Sequence, residues 1–80
     1  MDYIRGLVVN NKAGRDKGRF FVVISCDEKY ADICDGKYRR LEKPKHKNIK
    51  HLSATKTVLN EEDLKSNRSV RKALAAFNNK

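Results

Sequence analysis

Two cysteines, Cys26 and Cys34, are all that this 80-residue sequence carries. That is too few for a disulfide scaffold and suits a reducing cytosol. Nowhere do about 18 apolar residues run together, the length a membrane-spanning helix needs. The start, Met1-Asp2-Tyr3-Ile4-Arg5, lacks a basic segment followed by an apolar one, so no secretory signal is expected and a cytoplasmic location is. Apolar residues make up only 39% of the chain, and a chain this short hides roughly 60–65% of its unfolded surface. It has room for one small domain and none for a deep cavity, so neither a small-molecule substrate nor a cofactor is expected. No internal repeat or low-complexity segment is visible.

Acidic side chains are scarce as well: ten against nineteen Lys and Arg, for a formal charge of +9. The surplus points to a polyanion, nucleic acid first and an anionic membrane second. It is unevenly placed. Residues 1–36 hold six basic and six acidic side chains. Residues 37–56 hold eight basic ones against Glu42 alone, and 57–80 hold five against Glu61, Glu62 and Asp63. A single-sign run is often a disordered tail. Here it is internal, interleaved with Tyr38, Leu41, Ile49 and Leu52, and stiffened by Pro44, which predicts a structured basic surface.

The chain reads as short strands followed by a helix. Tyr3 to Val9 is extended in character. Asn10 to Gly18 is a polar loop too rich in Gly and Asn for a helix. Phe20 to Cys26 is the most apolar run, expected as a strand buried on both sides. Tyr30 to Cys34 is expected to pair with Lys37 to Leu41 across Asp35-Gly36, because Asp-Gly between extended runs signals a type I′ hairpin. Beyond Pro44 the stretch Asn48 to Val58 is expected to be irregular, with a short strand near Lys50 to Leu52 and an extended path at Thr55 and Thr57.

Asn60 ahead of Glu61, Glu62 and Asp63 reads as an N-cap with acids in the first turn. A short helix is predicted near 61–65 and a longer one near 68–78, or a single kinked helix. Val70, Leu74 and Phe77, with Ala73 beside them, make an apolar stripe for docking on the strands. The fold class is mostly β: a small barrel, which hides its own edges, with a C-terminal helical appendage.

The candidate functional residues start in the first loop. Gly14 and Gly18 allow positive φ and close approach of the backbone to a phosphate or base. Lys12, Arg15, Lys17 and Arg19 then project from one tip. The loop is not a nucleotide-binding phosphate loop, since Gly-x-x-x-x-Gly-Lys-Ser/Thr is missing and no helix follows. A second basic set, Lys37, Arg39, Arg40, Lys43, Lys45, Lys47 and Lys50, follows the Asp-Gly pair. Such cations grip phosphates, which position a nucleic acid without reading its sequence. His46 and His51 lie among lysines, whose charge disfavours protonation, and are placed to stack on unpaired bases. Tyr38 is a candidate for the same stacking, but packing in the barrel is expected of it first.

Gly6 to Ile24 resembles a KOW motif. The continuation Asp35-Gly36-Lys37, Arg39-Arg40-Leu41 and Lys43-Pro44-Lys45-His46-Lys47-Asn48 resembles the KOW-domain RNA-binding proteins of Gram-positive bacteria. These are similar in turn to the large-subunit ribosomal protein numbered fourteen in eukaryotes and archaea. The resemblance covers about residues 3 to 58, and Ser69 to Phe77 is similar to the family's terminal helix. It implies an SH3-like (KOW) barrel over 1–58 with a basic extension, and a helix or helical hairpin over 59–80. It also implies RNA binding, often of ribosomal RNA or at the ribosome, by a monomer without enzymatic activity.

Three other readings compete. Cys26, Cys34, His46 and His51 have the spacing Cys-x7-Cys-x11-His-x4-His, but a zinc knuckle keeps about two to four residues between its cysteines. Buried free cysteines are expected instead, and no metal. No nucleophile, base and orienting acid form a catalytic pattern, and Ser25 is expected to be a packing residue. The remaining alternative is a protein-interaction module, an SH3-like adaptor of the translation or transcription machinery whose Val70, Leu74, Phe77 stripe docks on a partner. No segment pairs a basic face with a broad apolar one, so membrane binding is not expected.

Overall fold

The structure is a computed structural model, and it describes residues 3–78. Five strands, β1 (Leu7–Asn11), β2 (Phe20–Cys26), β3 (Tyr30–Cys34), β4 (Lys45–Asn48) and β5 (Leu52–Val58), form one antiparallel sheet in the order β4-β3-β2-β1-β5. A 3-10 turn at Ile49–His51 joins β4 to β5, a second lies at Glu61–Leu64, and the helix α1 (Asn67–Asn78) follows.

The outer strands are consecutive in the chain. In a flat sheet they would stand about 19 Å apart, four spacings of roughly 4.8 Å. A three-residue 3-10 turn advances only about 6 Å, so the sheet must curl until its edges approach. Register shifts between Leu7 and Val9 and between Val23 and Ser25 bend the strands in the manner of β-bulges. The hydrogen-bonded ladder nevertheless stays open: β4 and β5 are its two edges.

Alternation along the strands divides the core. Leu7, Val9, Phe21, Val23, Ala31, Ile33 and Leu52 pack together on one face. Val8, Val22 and Cys34 pack on the other against Leu64, Val70 and Leu74. That double coverage explains why Phe21, Val22 and Val23 are all fully buried, as expected of a strand covered on both sides. The helical stripe docks where the i, i+4, i+7 spacing predicts, and Phe77 reaches Phe20 with ring centroids 5.2 Å apart. Asn60 caps the 61–64 turn, its side chain accepting from the Asp63 amide.

Several expectations are corrected. The hairpin across Asp35-Gly36 does not form; β3 pairs instead with β4, Asp32 opposite His46 and Ile33 opposite Lys45. The reason lies in what the two turn residues do. Asp35 is not in the positive-φ region that a type I′ turn requires, and Gly36 (φ 78°) alone is. The Asp35 carboxylate folds the chain onto itself, Oδ1 accepting from the amides of Lys37, Tyr38 and Arg39 at 2.9, 2.9 and 2.8 Å. Amides bound this way cannot join a ladder. The first strand starts at Leu7 rather than Tyr3; the short strand expected near Lys50 to Leu52 is mostly the 3-10 turn Ile49–His51, and the strand is instead the seven-residue β5, which includes the extended Thr55 and Thr57. Cys34 is buried, but Cys26 is exposed. Ser25 is exposed rather than packed and donates to Asp32 at 3.0 Å. Tyr38 is 62% exposed rather than packed.

Candidate nucleic-acid interface

The glycine loop is closed by backbone hydrogen bonds. Its neck is closed by the Asn11 amide donating to the Arg19 carbonyl at 3.0 Å and the Gly18 amide to the Asn11 carbonyl at 2.7 Å. Gly14 and Gly18 take φ of 86° and 89°, as their place in the loop predicts. Lys12, Arg15 and Lys17 are exposed on it. Arg19 is not free like the other three. It donates to Asp35 Oδ2 at 3.1 Å, and that carboxylate has no exposed side-chain surface.

The 35–44 segment is held as firmly. Asp35 fixes its first turn. At its far side Asn67, from the first turn of α1, accepts from the Leu41 amide at 2.7 Å and donates to Glu42 at 2.7 Å. Lys37, Tyr38, Arg40 and Lys43 are exposed on this frame. Arg39 of the segment and Lys45, which opens β4, turn inward to the glycine loop: both donate to Asp16 Oδ2, at 3.3 and 3.4 Å. Lys47 adds a third tie, donating to the Ala13 carbonyl at 3.1 Å. The Lys12 amide donates to the His51 carbonyl at 2.8 Å. Two basic segments far apart in sequence thus form one continuous face.

Asp16 pays for its partial burial by pairing. Burial pushes its carboxyl up, but the hydrogen bonds and charges of Arg39 and Lys45 more than offset this and hold it below the usual carboxylate range. Three buried side-chain nitrogens have no acceptor among the described residues: Asn11 Nδ2, Arg19 Nε and Arg39 Nε. All three belong to this face. Leaving such a donor unmade costs about 1–3 kcal/mol, and departures of that kind concentrate at functional sites.

Not every candidate joins the face. On β4, Lys45 and Lys47 point toward the glycine loop while His46, between them, lies on the opposite side. There it stacks on Tyr30 with ring centroids 4.6 Å apart, its Nδ1 2.8 Å from Asp32 Oδ1. His46 therefore faces a carboxylate and an aromatic ring rather than the lysines beside it in sequence. Ser25 also meets Asp32 rather than the imidazole. His51 is half-buried and Lys50 exposed in the 3-10 turn.

Two concavities lie near Tyr38, which lines the first; Arg19 and Lys37, which line the second, stand 5.1 and 5.0 Å from its ring centroid. One, of about 500 Å³, is lined by Tyr38, Arg39, Arg40, Glu42, Lys43 and Pro44. The other, of about 140 Å³, is lined by Arg19, Asp35, Lys37, Arg71, Ala75 and Asn78. Arg71 is a residue that reading the sequence missed. Its signal was its place on α1 next to Val70, on the flank of the docking stripe, where a long side chain reaches the rim of the sheet.

Among the described residues no group of three or more His, Cys, Asp or Glu is placed to hold a metal ion. Burial, followed by the nearby Asp35 charge, pushes the Cys34 thiol up to about 12. No helix of the described residues is long and apolar enough to cross a membrane. Fold and face together define a small, mostly β protein: an open, curled antiparallel sheet backed by one helix, with a continuous cationic surface. Comparison with known proteins gives it no narrower place, since no protein-family model and no curated protein matches the sequence.

Proposed function

We propose that this chain is a non-catalytic RNA-binding protein built on an SH3-like barrel of the KOW type, acting on ribosomal RNA or at the ribosome. The observation that carries the reading is the joining of the two basic segments through Asp16, Arg39, Lys45 and Lys47. One internal carboxylate aligns two cationic loops, and the exposed Lys12, Arg15, Lys17, Lys37, Arg40 and Lys43 are left for phosphates. Strand order supports the barrel: the curl that a single 3-10 turn imposes on the two edge strands is what a small, nearly closed sheet requires. The ribosomal assignment rests on the resemblance of the Gly6–Ile24 and Lys43–Asn48 segments to KOW proteins. The protein-module alternative loses its main support, because Val70 and Leu74 are spent against Val8 and Val22 of the same chain.

Binding of a structured ribosomal RNA fragment, followed by fluorescence anisotropy across a salt series, tests the reading. Neutralising about four phosphates gives a slope of log K against log salt of roughly −3 to −4. A flat response overturns it.

A further inference from the structure

Tyr38 is presented in an unusual way. The ring is 62% exposed, yet its backbone is pinned, the amide donating to the buried Asp35 carboxylate at 2.9 Å. The Asp35 and Gly36 amides close the same turn onto the Arg39 carbonyl at 2.9 and 3.1 Å. The aromatic side chain thus stands on a rigid base, at little cost in ordering when something binds it. The Arg19 guanidinium carbon lies 5.1 Å from its ring centroid and the Lys37 ammonium 5.0 Å. The ring lines the larger of the two concavities described above, and its neighbours Arg19 and Lys37 meet Arg71 in the smaller.

That smaller space, about 140 Å³, accepts a phosphate group but not a base with its sugar. Its three cations outnumber the one carboxylate, Asp35, whose lone pairs are already engaged by Arg19 and three backbone amides. The larger groove carries Arg39, Arg40 and Lys43, a second phosphate track. Cation, aromatic ring, cation is the order that a single strand presents as phosphate, base, phosphate. A duplex does not fit this order, because its bases already have both faces covered.

We infer that this face takes a single-stranded RNA segment, with one unpaired base stacked on Tyr38 and its flanking phosphate in the Arg19, Lys37 and Arg71 pocket. Lys37, on a flexible stem, leaves the ring to the base and turns to the phosphate, while Arg19 stays anchored on Asp35. This deepens the RNA-binding reading and rests on it. It also gives α1 a direct part in binding through Arg71.

The test uses the full chain, a short unstructured RNA, the same strand annealed to its complement, and anisotropy. The single strand should bind more tightly than the duplex. Tyr38→Ala should weaken single-strand binding by about tenfold and leave duplex binding unmoved, while Tyr38→Phe restores it. Arg71→Gln should lessen the salt slope by about one. Both residues are exposed, and circular dichroism verifies that each variant is folded. Equal affinity for the two RNAs with Tyr38→Ala silent overturns the inference and leaves RNA binding standing. No binding to either RNA removes the RNA reading and this inference with it.

Discussion

Gly36 lies directly beneath the first turn of α1: a β-carbon at this position would overlap the Asn67 carbonyl oxygen and stand 2.9 Å from the Arg71 amide. Its φ of 78° adds a second constraint. Gly36→Ala therefore meets both left-handed backbone strain, about 1–2 kcal/mol, and displacement of the helix from the sheet. Urea denaturation should show a loss of more than about 2 kcal/mol. Gly18 is the control. Its φ is 89°, but nothing lies within 4 Å of where a β-carbon would be, so Gly18→Ala should cost only the strain, about 1–2 kcal/mol. Equal losses would mean that the helix does not press on Gly36.

The same glycine shows where the sequence could and could not be read. Phe20–Cys26 was legible to its ends because a strand buried on both faces leaves an unbroken apolar run. Asp-Gly was misread because the positive φ of Gly36 serves a helix that begins 31 residues later, and a side chain satisfies the amides that a hairpin would pair. Strand β5 was hidden by its exposure: Ser53, Ala54, Lys56 and Thr57 are all on the surface, so no alternation marks it. In the candidate interface, charge was local and legible. The division of that charge was not, since Asp16 selects Arg39 and Lys45 across 23 and 29 residues and only the fold brings them together.

Asp16 makes the alignment of the two loops sensitive to acid. Its carboxyl is only 14% exposed and sits below its ordinary value of 3.8. A group depressed in the folded state contributes stability that is fully present above the unfolded value and is lost as pH falls through the folded one. Asp16→Asn should therefore destabilise the protein at pH 7, by about 1 kcal/mol for two partly screened pairs, or roughly 4–8 °C in Tm. The gap between parent and variant should close as pH drops below about 4. Thermal melts across that range measure it, and a gap independent of pH would mean the pairs add nothing through charge.

The two cysteines should behave as different groups. Cys34 is fully buried between the sheet and α1, and its thiol is pushed up to about 12, so little thiolate exists near pH 8 to react. Cys26 is exposed at the end of β2, its thiol donating to the Tyr3 carbonyl at 3.2 Å. A disulfide reagent at pH 8 should titrate one thiol per chain in the folded protein and the second only in denaturant. Cys26→Ser should abolish the fast reaction. Two fast thiols would mean that α1 opens readily from the sheet.

The cations of the interface divide into those that face solvent and those that hold it together, and charge reversal should separate the two. Arg40 and Lys43 are exposed in the larger groove and make no ion pair among the described residues. Converting both to Glu removes two phosphate contacts and adds two repulsions. RNA affinity should fall at least tenfold, the salt slope should shrink by about two, and Tm should stay within a few degrees. Arg39 and Lys45 are the partners of Asp16. Converting them to Glu sets three carboxylates together and unties the 35–44 segment from the glycine loop, so Tm should fall first and RNA binding with it. Anisotropy and thermal unfolding on the same samples distinguish the cases. A folded Arg40→Glu, Lys43→Glu variant that binds RNA as tightly as the parent would place the contact surface elsewhere on the protein.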